Sequence, residues 1–173
     1  QQGTPAAGRA EQYYLDLTPA KARDFEPAAV STVRTRDCIR LLMEFYRLTG
    51  DRKFLDGIPA ALDFLRAAAL DEASAAGLGR KPGKGRLLCP RFVRPGTLMP
   101  LYMHRKGLHV DNGVYYIDQN PHNVIGHYAA LVVIDVDGLQ RQYDSLCALP
   151  VAEATAGSPM LGKGRLELPR YHT

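Results

Sequence analysis

Two helical segments between residues 32 and 69 constrain this chain more than anything else in it. In the first, Cys38, Leu41, Leu42 and Phe45 recur at i, i+3, i+4 and i+7, the spacing of one face of an α-helix. Arg36, Arg40, Glu44 and Arg47 fall largely off that face. Ser31 or Thr32 can cap the start, and Gly50 suits a left-handed C-terminal cap. Asp51 then caps a new turn, DRKFL. The second helix, from about 56 to 69, carries Leu55, Ile58, Leu62 and Leu65 as its buried stripe. Pro59 falls in its first turn, where a missing N–H costs little. The short Gly-Asp connection makes the pair an antiparallel αα-hairpin. A single hairpin of this kind exposes too much apolar surface to stand alone. It needs neighbours, as in a bundle or a toroid of helix pairs.

The rest of the chain is long enough to provide them. At 173 residues it can bury one substantial core, and 46% hydrophobic with 23% charged residues is an ordinary globular composition. The formal charge of +4 suits an acidic ligand. Its Lys and Arg are scattered, however, and nucleic-acid binding requires a clustered basic footprint or a known motif, so no nucleic-acid partner is expected. No apolar run approaches a membrane span, so no membrane partner is expected either. Cys38, Cys89 and Cys147 are too few and too far apart for a disulfide framework and lack zinc spacing, although one bridge remains open. Cys38 reads as a buried thiol on the apolar helical face. The chain starts QQGTPAAGR without an initiator Met and reads as a processed or excised piece.

Before the first helix lies LTPAKARDFEPAAVS, a non-periodic stretch holding two prolines, Lys21, Arg23, Asp24, Phe25 and Glu26. It is either a plain charged connector or a functional loop positioned by the scaffold. Pro27 disfavours helix at Glu26. After the helices, residues 71–86 read as a polar linker in which Lys84 and Arg86 are solvated; its glycines lack the strand and the GKS or GKT of a phosphate loop. From Leu87 the texture becomes short β-branched and aromatic runs. Asp111-Asn112-Gly113 is a turn signal between two of them and predicts an irregular β-hairpin from about 101 to 117. Residues 127–133 are apolar, a buried strand or a lead into a helix. A helix over 135–149 follows, with Leu139, Gln142, Tyr143 and Leu146 along one side. Residues 150–173 read as an irregular tail over the surface.

Chemistry is sparse. Arg23 and Glu26 around Phe25 form either a charged substrate wall or an ion pair. His104-Arg105-Lys106-Gly107 sits near the hairpin turn, where Arg105 could fork onto a carboxylate and Lys106 add a point charge. Basic residues guarding a strand edge explain the same run. His104, His109, His122 and His127 have no metal-binding spacing and read as structural or exposed. Tyr115, Tyr116 and Tyr128 could stack on sugar rings or simply fill space. No HExxH, GxSxG or nucleophile elbow is present.

Several of these blocks occur together elsewhere. EQYYLDLTPAKARDFEPAAVST resembles the segment W-x-Q-x-[HY]-D, then Pro, then A-R-x-[YF]-E-P of the pectate lyases of polysaccharide lyase family ten. RLLMEFYRLTGDRKFLDGIPAALDFL, PRFVRPGTLMPLYMHRKG, HVDNGVYYID and GHY follow in that family's order, so the resemblance spans roughly residues 10–149. It implies a mainly α fold: residues 1–149 as the C-terminal part of an (α/α) toroid with an irregular β-hairpin insertion, and 150–173 as the tail. It also implies a secreted or periplasmic enzyme that cleaves polygalacturonate by calcium-assisted β-elimination. In that reaction a base removes the C5 proton α to the uronate carboxylate, cations stabilise the enolate-like charge, and O4 leaves.

By this resemblance Arg23 matches the arginine proposed as base. Arg105 matches an arginine that grips a substrate carboxylate, with Glu26, Lys106 and Tyr128 as further groove residues. An arginine base is chemically awkward, because Arg normally stays protonated. No calcium ligand is assigned. The chain departs from the family at Arg9 and Tyr14, is much shorter than the family's catalytic domain, and lacks its N-D-N type acidic motif. A complementary N-terminal half or second chain is therefore expected. The alternatives are a module that holds anionic glycan without cleaving it, and a scaffold whose helical hairpin docks another chain.

Overall fold

The computed structural model describes residues 7–107, 113–126 and 129–162. Four two-residue strands open the chain: β1 (Arg9–Ala10), β2 (Gln12–Tyr13), β3 (Pro19–Ala20) and β4 (Val30–Ser31). Helices α1 (Thr32–Thr49), α2 (Ile58–Ala67) and α3 (Glu72–Gly77) follow. Next come β5 (Leu87–Pro90), β6 (Phe92–Val93), β7 (Pro100–Lys106), β8 (Val114–Asp118) and β9 (Leu131–Ile134). Helices α4 (Val136–Ala148) and α5 (Val151–Ala154) follow, and a short 3-10 turn at Pro159–Leu161 comes last. Strands β1-β4-β6-β7-β8 form one antiparallel sheet, and β5 pairs antiparallel with β9.

This corrects the expected fold class. The described residues are 38% helical and 20% strand around a five-stranded sheet, a mixed architecture and not a mainly α toroid portion. The sheet is built largely from two-residue strands, too short to leave any period-2 signal in the sequence. The expected hairpin is present: Tyr102 pairs with Asp118, His104 with Tyr116 and Lys106 with Val114.

The core lies where α1, α2 and α4 pack against the strands. Ile39, Tyr46, Ile58, Leu62, Leu65 and Leu146 are fully buried there. Each of the aliphatic ones contributes about 1.5–3 kcal/mol relative to exposure. The stripe expected on α2 is the buried one. The face expected on α1 is not: Leu41 and Phe45 are exposed and Cys38 only half-buried. The helix turns Thr32, Thr35, Ile39, Met43 and Tyr46 inward instead. Two of these are polar and hydrogen-bonded. Thr32 Oγ1 donates to the Pro90 carbonyl at 2.7 Å, and Thr35 Oγ1 donates to the Ser31 carbonyl at 2.8 Å while accepting from the Arg9 N–H at 2.8 Å. Buried hydroxyls so satisfied cost little.

The caps follow the sequence. The Ser31 side chain accepts from Arg34 N, Asp51 from Lys53 N and Asp135 from Gly138 N, and Gly50 is left-handed at φ 73°. The 71–86 stretch is more ordered than expected, since Asp71 caps α3 through Ser74 N. After α4 the chain returns to α1: Ser158 is buried, and its hydroxyl donates to the Leu48 carbonyl at 2.5 Å. All three cysteines are free thiols. Burial pushes the Cys89 thiol up to about 12, which makes it an inert core residue.

Candidate functional site

The site forms where the 21–27 loop meets the β7–β8 hairpin. Alternation along a strand puts successive side chains on opposite faces. Met103 pairs with Ile117 and Arg105 with Tyr115, so these four share one face; His104, Lys106 and Tyr116 take the other. The loop lies on the first face. The Phe25 ring is 6.0 Å from that of Tyr115, and Lys21, Asp24 and Pro27 join Met103, Tyr115 and Ile117, with Tyr116 at the rim, around a groove of ≈ 340 Å³.

The loop is held by its own residues. Glu26 N donates to the Arg23 carbonyl at 2.8 Å, and Ala22 N donates to the Glu26 carbonyl at 3.2 Å. The Glu26 carboxylate accepts from the Arg23 backbone N–H at 3.1 Å. It also accepts from both arms of the guanidinium, Nε at 2.8 Å and Nη2 at 2.7 Å. Lys21 pairs with Asp24 at 2.9 Å. The Glu26 side chain is only 6% exposed, whereas that of Arg23 is 62% exposed. Its guanidinium carbon stands 5.0 Å from the Phe25 ring centre. Arg23 is thus fixed from inside and presents its outer edge to solvent. A carboxylate at this distance favours the charged guanidinium, and Arg is not deprotonated in proteins. The arrangement suits gripping an anion. Service as a base would require the pair to open.

Placement of the expected residues divides them. The Phe25–Tyr115 contact seats the loop that carries Arg23 and Glu26 against the strand face that Arg105 shares with Tyr115, although about 80 residues separate them in the chain. Lys106 is on the other face, with Nζ 5.4 Å from the Tyr116 ring. Tyr128, His109 and His127 lie outside the described residues. His104 is structural: it is buried, stacked on Tyr116, and its ring nitrogens face Asp118 Oδ1 at 2.7 Å and the Asn120 and Asn123 carbonyls at 3.0 and 3.2 Å. It ties the hairpin to the turn that follows. Phe25 and Tyr115 proved central to the site, while sequence reasoning named them only as a loop residue and one of three stacking candidates. Their separation in the chain hides the contact.

Compared with known protein families, curated proteins and solved structures, the chain matches none. The likeness to the pectate lyases therefore rests on the sequence blocks alone. Among the described residues no three His, Cys, Asp or Glu side chains gather to hold a metal ion. Asp24 and Glu26, the carboxylates of the loop, are each engaged by a cation. As placed, these residues form no calcium cage.

Proposed function

We propose that the chain binds uronate-containing polysaccharide on the face shared by the 21–27 loop and the hairpin, and that bound uronate is cleaved there by β-elimination. The observation that carries this reading is the Phe25–Tyr115 contact, which seats the Arg23-bearing loop against the strand face that Arg105 shares with Tyr115 by register. Planar guanidinium groups match carboxylates in bidentate fashion, and aromatic rings offer an apolar surface to the C–H face of a sugar. In the elimination, solvent hydroxide takes the C5 proton and the C–H electrons pass into the carboxylate as an enolate. They return to form the C4–C5 double bond as the C4–O4 bond breaks, and the leaving oxygen takes a proton from water, regenerating hydroxide. The arginines would stabilise the charge that develops on the carboxylate side.

The second reading is binding without cleavage, favoured by the Arg23–Glu26 pair, which holds Arg23 charged. One titration series separates the two. Oligogalacturonate is expected to bind, and Arg105→Ala to weaken it by about 10-fold or more, the loss of a charge-assisted hydrogen bond of roughly 1.5–3 kcal/mol. A rise in ultraviolet absorbance from unsaturated uronide marks cleavage. Binding without that rise selects the second reading, and Arg105→Ala binding as tightly as the parent sinks both.

A second chain, expected from the resemblance, has a seat on α1. Leu41 is 50% and Phe45 37% exposed on the outer face. Sedimentation of the full chain with a candidate complementary chain is expected to give a complex that Leu41→Glu abolishes; a complex indifferent to this change would place the seat elsewhere.

No helix among the described residues is long and apolar enough to cross a membrane.

A further inference from the structure

Away from the hairpin, α3, the 79–86 loop and the start of β5 enclose a groove of ≈ 490 Å³. That is within the range of ligand-sized clefts. Its apolar floor includes Leu70, Ala75, Leu87 and Leu88, and Ala75 and Leu88 are buried. Around it stand Arg80, Lys81, Lys84 and Arg86, with Glu72 as the single acidic lining residue. All four cations are exposed. Four helix cations, Arg34, Arg36, Arg47 and Arg66, each have a carboxylate partner. Among the described residues, no carboxylate lies within ion-pair distance of any of the four around the groove.

The loop shape is also imposed. Leu70 N donates to the Leu88 carbonyl at 2.9 Å and Arg80 N to the Ala75 carbonyl at 2.9 Å, which fixes both ends of the excursion. Gly85, at φ 75°, is where the loop meets α4: Asp137 N donates to its carbonyl at 3.2 Å, and a Cβ there would come within 2.8 Å of Asp137 Oδ2. A side chain is excluded on both counts. Three glycines (Gly79, Gly83 and Gly85) and Pro82 therefore hold four like charges around one groove, an arrangement whose mutual repulsion an anionic ligand would relieve.

We infer that this groove is a second subsite for an acidic polysaccharide, anchoring a stretch of the polymer distant from the hairpin face. The inference rests on the proposed ligand class. A polyuronate carries one carboxylate per sugar, which complements a row of cations, and its pyranose C–H faces suit an apolar floor. The lining holds no aromatic ring on which a nucleobase could stack, so a glycan fits better than a single-stranded nucleic acid. Β5 links the two places directly: Leu87 and Leu88 line this groove, and Arg91 and Phe92, just past its end, lie in the pocket beside Phe25. Two sites on one chain raise the affinity for a ligand long enough to reach both, without any new contact.

The test compares long polygalacturonate with a trimer, measured by calorimetric titration into the full chain. For Arg80→Glu combined with Lys84→Glu, polymer affinity is expected to fall by roughly 100-fold, the lower end of the gain from linking two sites, with the trimer unchanged. Because these reversals cancel the whole formal charge of +4, Ala76→Phe provides the neutral counterpart. Ala76 is exposed and lines the groove, so the larger side chain blocks it without touching charge or core. It is expected to reduce polymer affinity too. Unchanged polymer affinity in either variant overturns the inference, as does tighter binding of single-stranded DNA that the reversals abolish. Arg105→Ala keeps the two readings apart: trimer binding that survives it removes the hairpin site and leaves the groove standing.

Discussion

Ile39→Ala is expected to lower the free energy of unfolding by about 2–5 kcal/mol, the usual cost of truncating a buried aliphatic side chain and leaving a cavity. Ile39 is fully buried between α1 and the rest of the core. Leu41→Ala, two residues along, is expected to change stability by no more than about 0.5 kcal/mol, the range of an exposed site, because half of Leu41 already faces solvent. Chemical denaturation with an unchanged slope reads both values. The contrast tests the rotation of α1 directly. If Leu41→Ala proved the costly one, the helix would present the face that its sequence spacing favours.

Arg23→Ala is the second large effect, expected to cost about 1–3 kcal/mol and to weaken oligogalacturonate binding together with it. The asymmetry of the Arg23–Glu26 pair is the reason. Arg23 can be hydrated, whereas Glu26 is nearly closed off from water, and a carboxylate in that position needs the charge-assisted bonds that Arg23 donates at 2.7 and 2.8 Å. Arg23→Lys restores the charge but not the fork, so it is expected to recover only part of both losses. Equal stability of the parent and both variants would show that the pair does not hold the loop.

Individual elements were legible in the chain, whereas the mixed fold class was not. The α2 stripe, the Ser31 and Asp51 caps, the Gly50 terminus and the β7–β8 hairpin all follow from local patterns whose physics is local. The α1 face was misread because its inward side carries Thr32 and Thr35, which count as polar by composition but are satisfied by the Pro90 and Ser31 carbonyls. Helix α3 is six residues of Glu, Ala, Ser and Gly with no apolar stripe to betray it. The sheet was hidden because its order depends on pairing Val30 with Val93 across 63 residues, a long-range choice that two-residue strands do not advertise.

The candidate site divides in the same way. Strand parity alone sends Arg105 and Lys106 to opposite faces, so their joint role in anion recognition was never available to a regular hairpin. The seat of Phe25 against Tyr115 could not be read, because nothing in either segment specifies the other. Likewise, the cations at 80–86 look solvated when read in order and become a cluster only once α3 and β5 close a groove between them.

The central claim is that acidic glycan binds on the face shared by the loop and the hairpin. Amide shift mapping by NMR during an oligogalacturonate titration tests it most directly. The account predicts saturable shifts at residues 21–26, at 103–105 and at 115–117, with α2 unmoved. Shifts that avoid all three segments, or no saturable shift at all, would contradict it.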